Sequence, residues 1–289
     1  MSASDDLDTA VILESVHLYP IKSCAGIAPA EALLIETGFD LDRAWMVVDG
    51  AGELVTQREL PRMALIRPTL KGEELILRAP GMLALHLALD RVEAPCKATV
   101  WNDTVAAFDM GALCAQWFTD FLGQPLRLAR FDPEHKRLAD RRWTGTLAAE
   151  TSFQDAFPLL VASTASLDEV NRRLALAGEP AVTMARFRPN IVLGGLDAHG
   201  EDHLDEVVFD AAEGPVRLKM VKPCSRCSIP DVDPATGEPG HAVGDVLARY
   251  RADRRLDGAL TFGMNAVIVE GIERSLKPAM TGRASFAFD

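Results

Sequence analysis

Residues Lys222–Gly237 read KPCSRCSIPDVDPATG and hold two of the chain's five cysteines, Cys224 and Cys227. Ahead of them Val216-Arg217-Leu218-Lys219-Met220-Val221 alternates apolar and basic residues, the pattern of a half-buried strand. Behind them Asp233-Pro234 followed by Gly237 spells a tight turn. The cysteines are therefore expected at a strand end, where function commonly gathers. Arg226 directly before Cys227, and Lys222 a few residues earlier, put positive charge beside a thiol. That is the setting in which a thiolate binds metal or attacks. Cys227 is the first candidate for chemistry.

Four readings of this Cys-x-x-Cys compete. Structural zinc needs four ligands, but Cys24, Cys96 and Cys114 are scattered and His241 stands alone. A thioredoxin-like pair should open a helix, and Ile229-Pro230 with the Asp-Pro turn opposes one. Two buried thiols acting as small hydrophobes are the bland alternative, weakened by the charged neighbours. The fourth reading is a single thiolate on a soft transition metal, with nearby cations holding an anionic cofactor.

Working outward, Pro20-Ile21-Lys22-Ser23-Cys24-Ala25-Gly26 interrupts a first strand begun near Ala10 and forms a loop. Lys22 beside Ser23 makes an anion site available there, although a solvated lysine is the ordinary alternative. Trp45-Met46-Val47-Val48 reads as a buried strand ending in an Asp49-Gly50 turn, with a returning strand through Leu54–Arg58. Arg43, just before it, has Asp42 and Asp40 as possible salt-bridge partners. Gly111–Gly123 has helical spacing with a terminal glycine, which makes Cys114 a core residue. The charged run Asp132–Arg142 reads as a solvated connection between domains. Beyond it, a strand at Phe157–Ala162 leads to a helix over 166–174 capped by Ser163 or Thr164. Arg188 and Asn190 flank Pro189, so their donors stand on a bend of restricted backbone, suited to a phosphate or a pterin edge. Salt bridging of Arg188 to the acidic 197–206 stretch is the structural alternative.

The chain has 289 residues, 48% of them hydrophobic, enough to bury a large core in two domains. Its net charge of -12 argues against nonspecific binding to nucleic acid or to anionic membranes. Five cysteines without a regular framework suggest a reducing compartment, and the cytoplasm is the expected location. Residues 1–10 are polar and acidic, without the basic start and apolar run of a signal peptide.

Pro223-Cys224-Ser225-Arg226-Cys227 with Asp233-Pro234-Ala235-Thr236-Gly237 resembles the molybdenum cofactor motif of the MOSC-domain superfamily. The likeness is to the branch of the amidoxime reducing components and YcbX-like bacterial proteins. Tyr19–Cys24, Asp42–Trp45, Thr56–Arg58 and Phe187-Arg188-Pro189-Asn190 are similar to further motifs of that family, in the same order. The resemblance implies a β-rich α+β fold: a mixed N-terminal domain at residues 10–130 and an antiparallel MOSC β-barrel with peripheral helices at 150–285. It implies a molybdenum cofactor held between them, with Cys227 as the metal ligand and Cys224 as its neighbour. Lys22, Ser23, Arg43, Arg188, Asn190 and Asn265 are then the cofactor-binding candidates. Asp233 is a second catalytic candidate, as a proton donor, with turn capping as its alternative role.

The implied reaction is reduction of N-hydroxylated compounds, and the alternative is a carrier of cofactor or sulfur without turnover. With no cysteine after Cys227 there is no appended iron–sulfur domain in this sequence, and no glycine-rich dinucleotide fingerprint follows a strand. Electrons are therefore expected from a separate flavin or iron–sulfur protein. The sequence departs from the resemblance after Gly271, where Glu273–Pro278 replaces the family's Gly-Asp pair ahead of a last strand. Its start also differs from the mitochondrial relatives, which carry a targeting and anchoring segment.

Overall fold

Seven strands of the computed structural model, which describes residues 9–287, close into a barrel. In ring order they are Leu159–Ser163, Ile191–Gly194, Thr9–Val16, Thr281–Phe286, Leu204–Ala211, Gly214–Ser225 and Ala259–Glu270, which pairs back to the first. Closure leaves no exposed edge in the ring. All neighbours are antiparallel except Leu159–Ser163 and Ile191–Gly194. A parallel pair needs a crossover, and the helix Thr164–Leu176 supplies it, with the Ser163 hydroxyl oxygen accepting from the Ser166 N–H as its cap.

Alternation explains the inside of the barrel. Val11 and Leu13 point inward on the first strand, and a bulge between Leu13 and Ser15 resets the phase so that Val16 also points in. They meet Leu193, Phe209, Leu218 and Ala266 in one core. Gly263 lets the long strand Ala259–Glu270 reach both neighbours: its φ is +76, and a Cβ there would lie 2.6 Å from the Val161 carbonyl oxygen.

The second unit is built from a four-stranded sheet ordered Trp45–Val48, Arg127–Phe131, Asp103–Asp109, Ala94–Val100, and a three-stranded meander over Arg67–Lys71, Glu74–Arg78 and Leu85–Ala88. The helix Ala112–Leu122 packs Cys114, Trp117, Phe118 and Phe121 against them and ends at Gly123 in the left-handed region. Cys114 is buried.

Several local expectations are revised. The first strand, where the 10–130 unit begins, pairs within the barrel between Ile191–Gly194 and Thr281–Phe286. A pattern of alternate burial states that a strand has a core to face, not which core. The segment after Val48 does turn at Asp49, but its return makes only isolated bridges, Val48 to Leu54 and Glu53 to Thr99. The run Asp132–Arg142 is not merely a solvated connection, because Arg137–Leu138 pairs with Glu150–Thr151 and Arg137 is buried. A last strand exists at Thr281–Phe286 although its family signal is missing. Residues 1–8, most of the stretch read for a targeting signal, lie outside the described residues. Among the described residues, no helix is long and apolar enough to cross a membrane.

Candidate functional site

One pocket opens between the barrel and the N-terminal unit, and seven of the eight candidate site residues line it: Lys22, Ser23, Arg43, Arg188, Asn190, Cys227 and Asn265. The eighth, Asp233, does not. Its carboxylate accepts from the Ala235 N–H at 2.7 Å and pairs with Arg186 at 3.3 Å, and its side chain faces a different hollow, shared with Glu238 and His241. An Asp before Pro can satisfy the turn with its own side chain, and that local bond wins here.

The pocket is built from bends. Lys22 and Ser23 follow the first barrel strand, in a loop tied to the other unit by the Lys22 N–H donating to the Trp45 carbonyl at 2.8 Å. Four of the nine non-glycine residues with positive φ among the described residues, Ser23, Arg43, Trp101 and Arg188, line this single pocket. Left-handed backbone is unfavourable for such side chains and concentrates where surrounding structure enforces a functional geometry.

The cations differ in what they are free to do. Arg43 donates to both Asp42 oxygens, at 2.8 and 2.6 Å, and to the Asn190 Oδ1 and the Arg188 carbonyl, each at 3.1 Å. Its charge is thus largely balanced by the fully buried Asp42 carboxylate. Asn190 is engaged in the same way: its Oδ1 also accepts from the Leu160 N–H at 3.1 Å, and its Nδ2 donates to the His17 carbonyl at 3.2 Å. It positions Arg43 and joins three chain segments. Lys22, with burial pulling its pKa down against the opposing pull of Asp155, donates to Asp155 at 2.5 Å and to the Phe153 carbonyl at 2.7 Å. Asn265 donates to the Lys222 carbonyl at 3.2 Å from the strand facing the cysteine loop.

Arg188 donates through Nη1 to the Cys24 carbonyl at 2.5 Å. Burial, reinforced by Arg43, pulls its pKa down to about 10, so it remains a cation at neutral pH. Arg43 and Arg188 both sit 4.3 Å from the Tyr19 ring centroid. Burial raises the Tyr19 phenol to about 12 in spite of these two cations. The ring therefore stays neutral and offers its face to both guanidinium groups.

Two buried N–H groups of this pocket, on Arg188 Nη2 and Arg226 Nε, have no hydrogen-bond partner among the described residues. Leaving such a donor unmet costs about 1–3 kcal/mol, and more when it is charged. An anionic ligand supplies the missing acceptors. Cys227 presents an exposed thiol at the same pocket. Unmet guanidinium donors and an accessible soft sulfur fit a molybdopterin, with its anionic phosphate and a metal open to thiolate ligation. By contrast, among the described residues no three His, Cys, Asp or Glu side chains gather as a metal site, which removes the four-ligand zinc arrangement.

Three contributors were missed in the sequence. Arg226 was read as a charge beside Cys227, yet its Nη1 donates to the Cys224 sulfur at 3.2 Å and its Nη2 to the Phe187 carbonyl at 2.9 Å. Asp155 reaches the pocket mouth on the loop after Thr151, and Trp101 reaches it from a hairpin tip of the other unit, its indole donating to Asp155 at 3.0 Å. Arg137 holds that loop by donating to the carbonyls of Ser152, Gln154 and Asp155, at 3.1, 2.7 and 3.2 Å. Nothing in the spacing of residues 101 and 155 signals their meeting, but the turn Val100-Trp101-Asn102-Asp103 could have been flagged for placing tryptophan where glycine is usual.

Two family models cover the chain: the MOSC N-terminal beta barrel domain at residues 10–125 and the MOSC domain at residues 148–275. The human mitochondrial amidoxime-reducing component 1 is 36% identical over 229 residues, 76% of this chain and 66% of its own length. The rat mitochondrial amidoxime reducing component 2 is 34% identical over 236 residues, 78% of this chain and 68% of its own. The chain thus spans about two thirds of the length of these relatives. The human molybdenum cofactor sulfurase is 28% identical over 271 residues, covering 88% of this chain and 29% of that protein.

Proposed function

This chain belongs to the MOSC-domain family that includes the mitochondrial amidoxime reducing components, and from that membership we propose that it is a molybdenum cofactor-dependent reductase of N-hydroxylated compounds. The observation that carries the reading is an exposed thiol, Cys227, in a pocket where two buried guanidinium N–H groups lack acceptors. Cys227 holds the metal, while Lys22, Ser23, Arg188 and Arg226 face the anionic part of the cofactor. Arg43 and Asn190 fix the frame on which Arg188 stands. When bound, the cofactor supplies two electrons for cleavage of an N–O bond.

The net conversion takes R–NHOH, two electrons and two protons to R–NH2 and water. Asp155 carries an ionised carboxylate held by Lys22 and Trp101 at the mouth, where it accepts hydrogen bonds from an incoming N–H or N–OH group. The electrons come from a separate flavin or iron–sulfur protein, and the protein works in the cytoplasm, as its scattered free cysteines suggest.

Metal analysis combined with turnover tests this. Purified protein should hold molybdenum in about one-to-one ratio and reduce an amidoxime with an artificial electron donor. Labile sulfur on Cys227 without molybdenum would instead favour a sulfur carrier, a reading with support in the likeness to a protein named for sulfuration of the cofactor.

A further inference from the structure

Trp101 stands where local chemistry disfavours it. Val100 and Asp103 pair across a two-residue turn, and Trp101, at its first position, has φ +57 while Asn102 does not share the positive φ. A two-residue hairpin with positive φ at its first central residue takes glycine there by preference, because a side chain crowds the backbone. The sequence instead places one of its four tryptophans at this tip. The strain has no core to repay it: the residue is 43% exposed.

What the indole does meet is the pocket. Its N–H donates to the Asp155 carboxylate at 3.0 Å, the Arg58 guanidinium lies 4.5 Å from its ring centroid, and the Lys22 ammonium lies 5.6 Å away. These contacts orient a ring that still has surface to offer, and that surface forms part of the pocket wall. Backbone strain outside any apolar core, at the rim of a site, marks a residue kept for its side chain. A rigid aromatic face beside an ionised carboxylate is matched by a planar group carrying N–H or N–OH donors at its edge. Stacking and the edge hydrogen bond then orient the substrate together.

We propose that Trp101 is a substrate-contacting, specificity-determining residue, whose indole forms the aromatic wall that selects aryl-bearing N-hydroxylated compounds over small ones. This rests on the reductase reading above.

The test compares an aryl amidoxime with hydroxylamine, using the molybdenum-loaded full chain and a chemical reductant. In Trp101→Gly the ratio of kcat/KM for the aryl compound over hydroxylamine should fall roughly fivefold to tenfold, the size of one aromatic contact. Trp101→Phe, which keeps a ring, should retain most of the preference. Because glycine suits the turn, the melting temperature of Trp101→Gly should stay level or rise. Calorimetric titration of the oxidised protein with an aryl amidine, which needs no turnover, should show the same loss of binding in Trp101→Gly.

An unchanged ratio overturns the proposal. So does an equal slowing with both substrates accompanied by a lower melting temperature, which would make Trp101 a brace. If the wild-type protein reduces neither compound, the reductase reading fails, and calorimetry still decides the aromatic wall: tight aryl amidine binding lost in Trp101→Gly sustains it, and no binding to the wild type removes it.

Discussion

The Arg226 guanidinium donates to the Cys224 sulfur at 3.2 Å, so the cation that precedes Cys227 in the chain is directed at the other cysteine. A side chain as long as arginine's does not have to serve its neighbour in sequence. The two thiols of one motif both line the pocket but are set apart: Cys224 is held by a cation and half-buried, whereas Cys227 is exposed.

From that asymmetry, Cys227→Ser should abolish reductase turnover and lose molybdenum, while Cys224→Ser keeps most of both. Turnover and metal content measured side by side decide it. Equal loss in the two variants would point to a dithiol acting as a unit.

Arg188→Ala and Arg43→Ala should both lower cofactor content, for different reasons. Arg188→Ala removes the unmet Nη2 donor and also the bond to the Cys24 carbonyl, at a cost of about 1 kcal/mol. Removing Arg43 also leaves Asp42, whose side chain is fully buried, with an unpaired charge, at a cost of about 3 kcal/mol. Chemical denaturation should therefore separate the two variants even where cofactor analysis does not. Full cofactor content in both would refute the assigned anion site.

Acid stability has an identifiable contributor in His199. Its two ring nitrogens have no partner among the described residues, and burial, with Arg251 adding, pulls its pKa from 6.5 to about 4. The unfolded chain takes up this proton near pH 6.5, and the folded chain refuses it until about 4. The contribution is complete above 6.5 and declines as pH falls toward 4, by on the order of 2 kcal/mol for a ring that keeps some exposure. Urea midpoints between pH 7.5 and 4.5 should thus fall less steeply in His199→Asn, a residue that accepts the left-handed backbone at this position. Parallel slopes for the two proteins would assign the acid sensitivity elsewhere.

Isolated protein with NADH alone should not reduce an N-hydroxylated substrate, because the sequence holds no second cysteine group for an iron–sulfur cluster and no dinucleotide fingerprint. Adding a flavin or iron–sulfur reductase, or a chemical reductant, should start turnover. Sustained NADH oxidation by the chain free of any flavoprotein would sink the requirement for an external donor.

Much of this was legible in the chain because it is local. Alternation over Val216–Val221, the Asp233-Pro234 turn and the Ser163 cap depend on residues a few positions apart, and each appears where the sequence puts it. Ordered family motifs brought Lys22, Arg43, Arg188 and Cys227 to one pocket, although the residues between them say nothing of how far apart they fold.

What only tertiary structure decided is which partners these groups meet. Arg43 had two aspartates within reach in sequence, and burial selected Asp42. Asp233 had two possible roles, and its own turn claimed it. The first strand joined the barrel formed by the second half because antiparallel pairing with Ile191–Gly194 and Thr281–Phe286 closes that ring. Trp101 and Asp155 meet across 54 residues. Periodicity and turn chemistry act over a few residues, so the sequence by itself determined the elements and the reactive side chains. Contacts across such separations arise only when whole sheets pack, and that packing decided which cations remain free for a ligand.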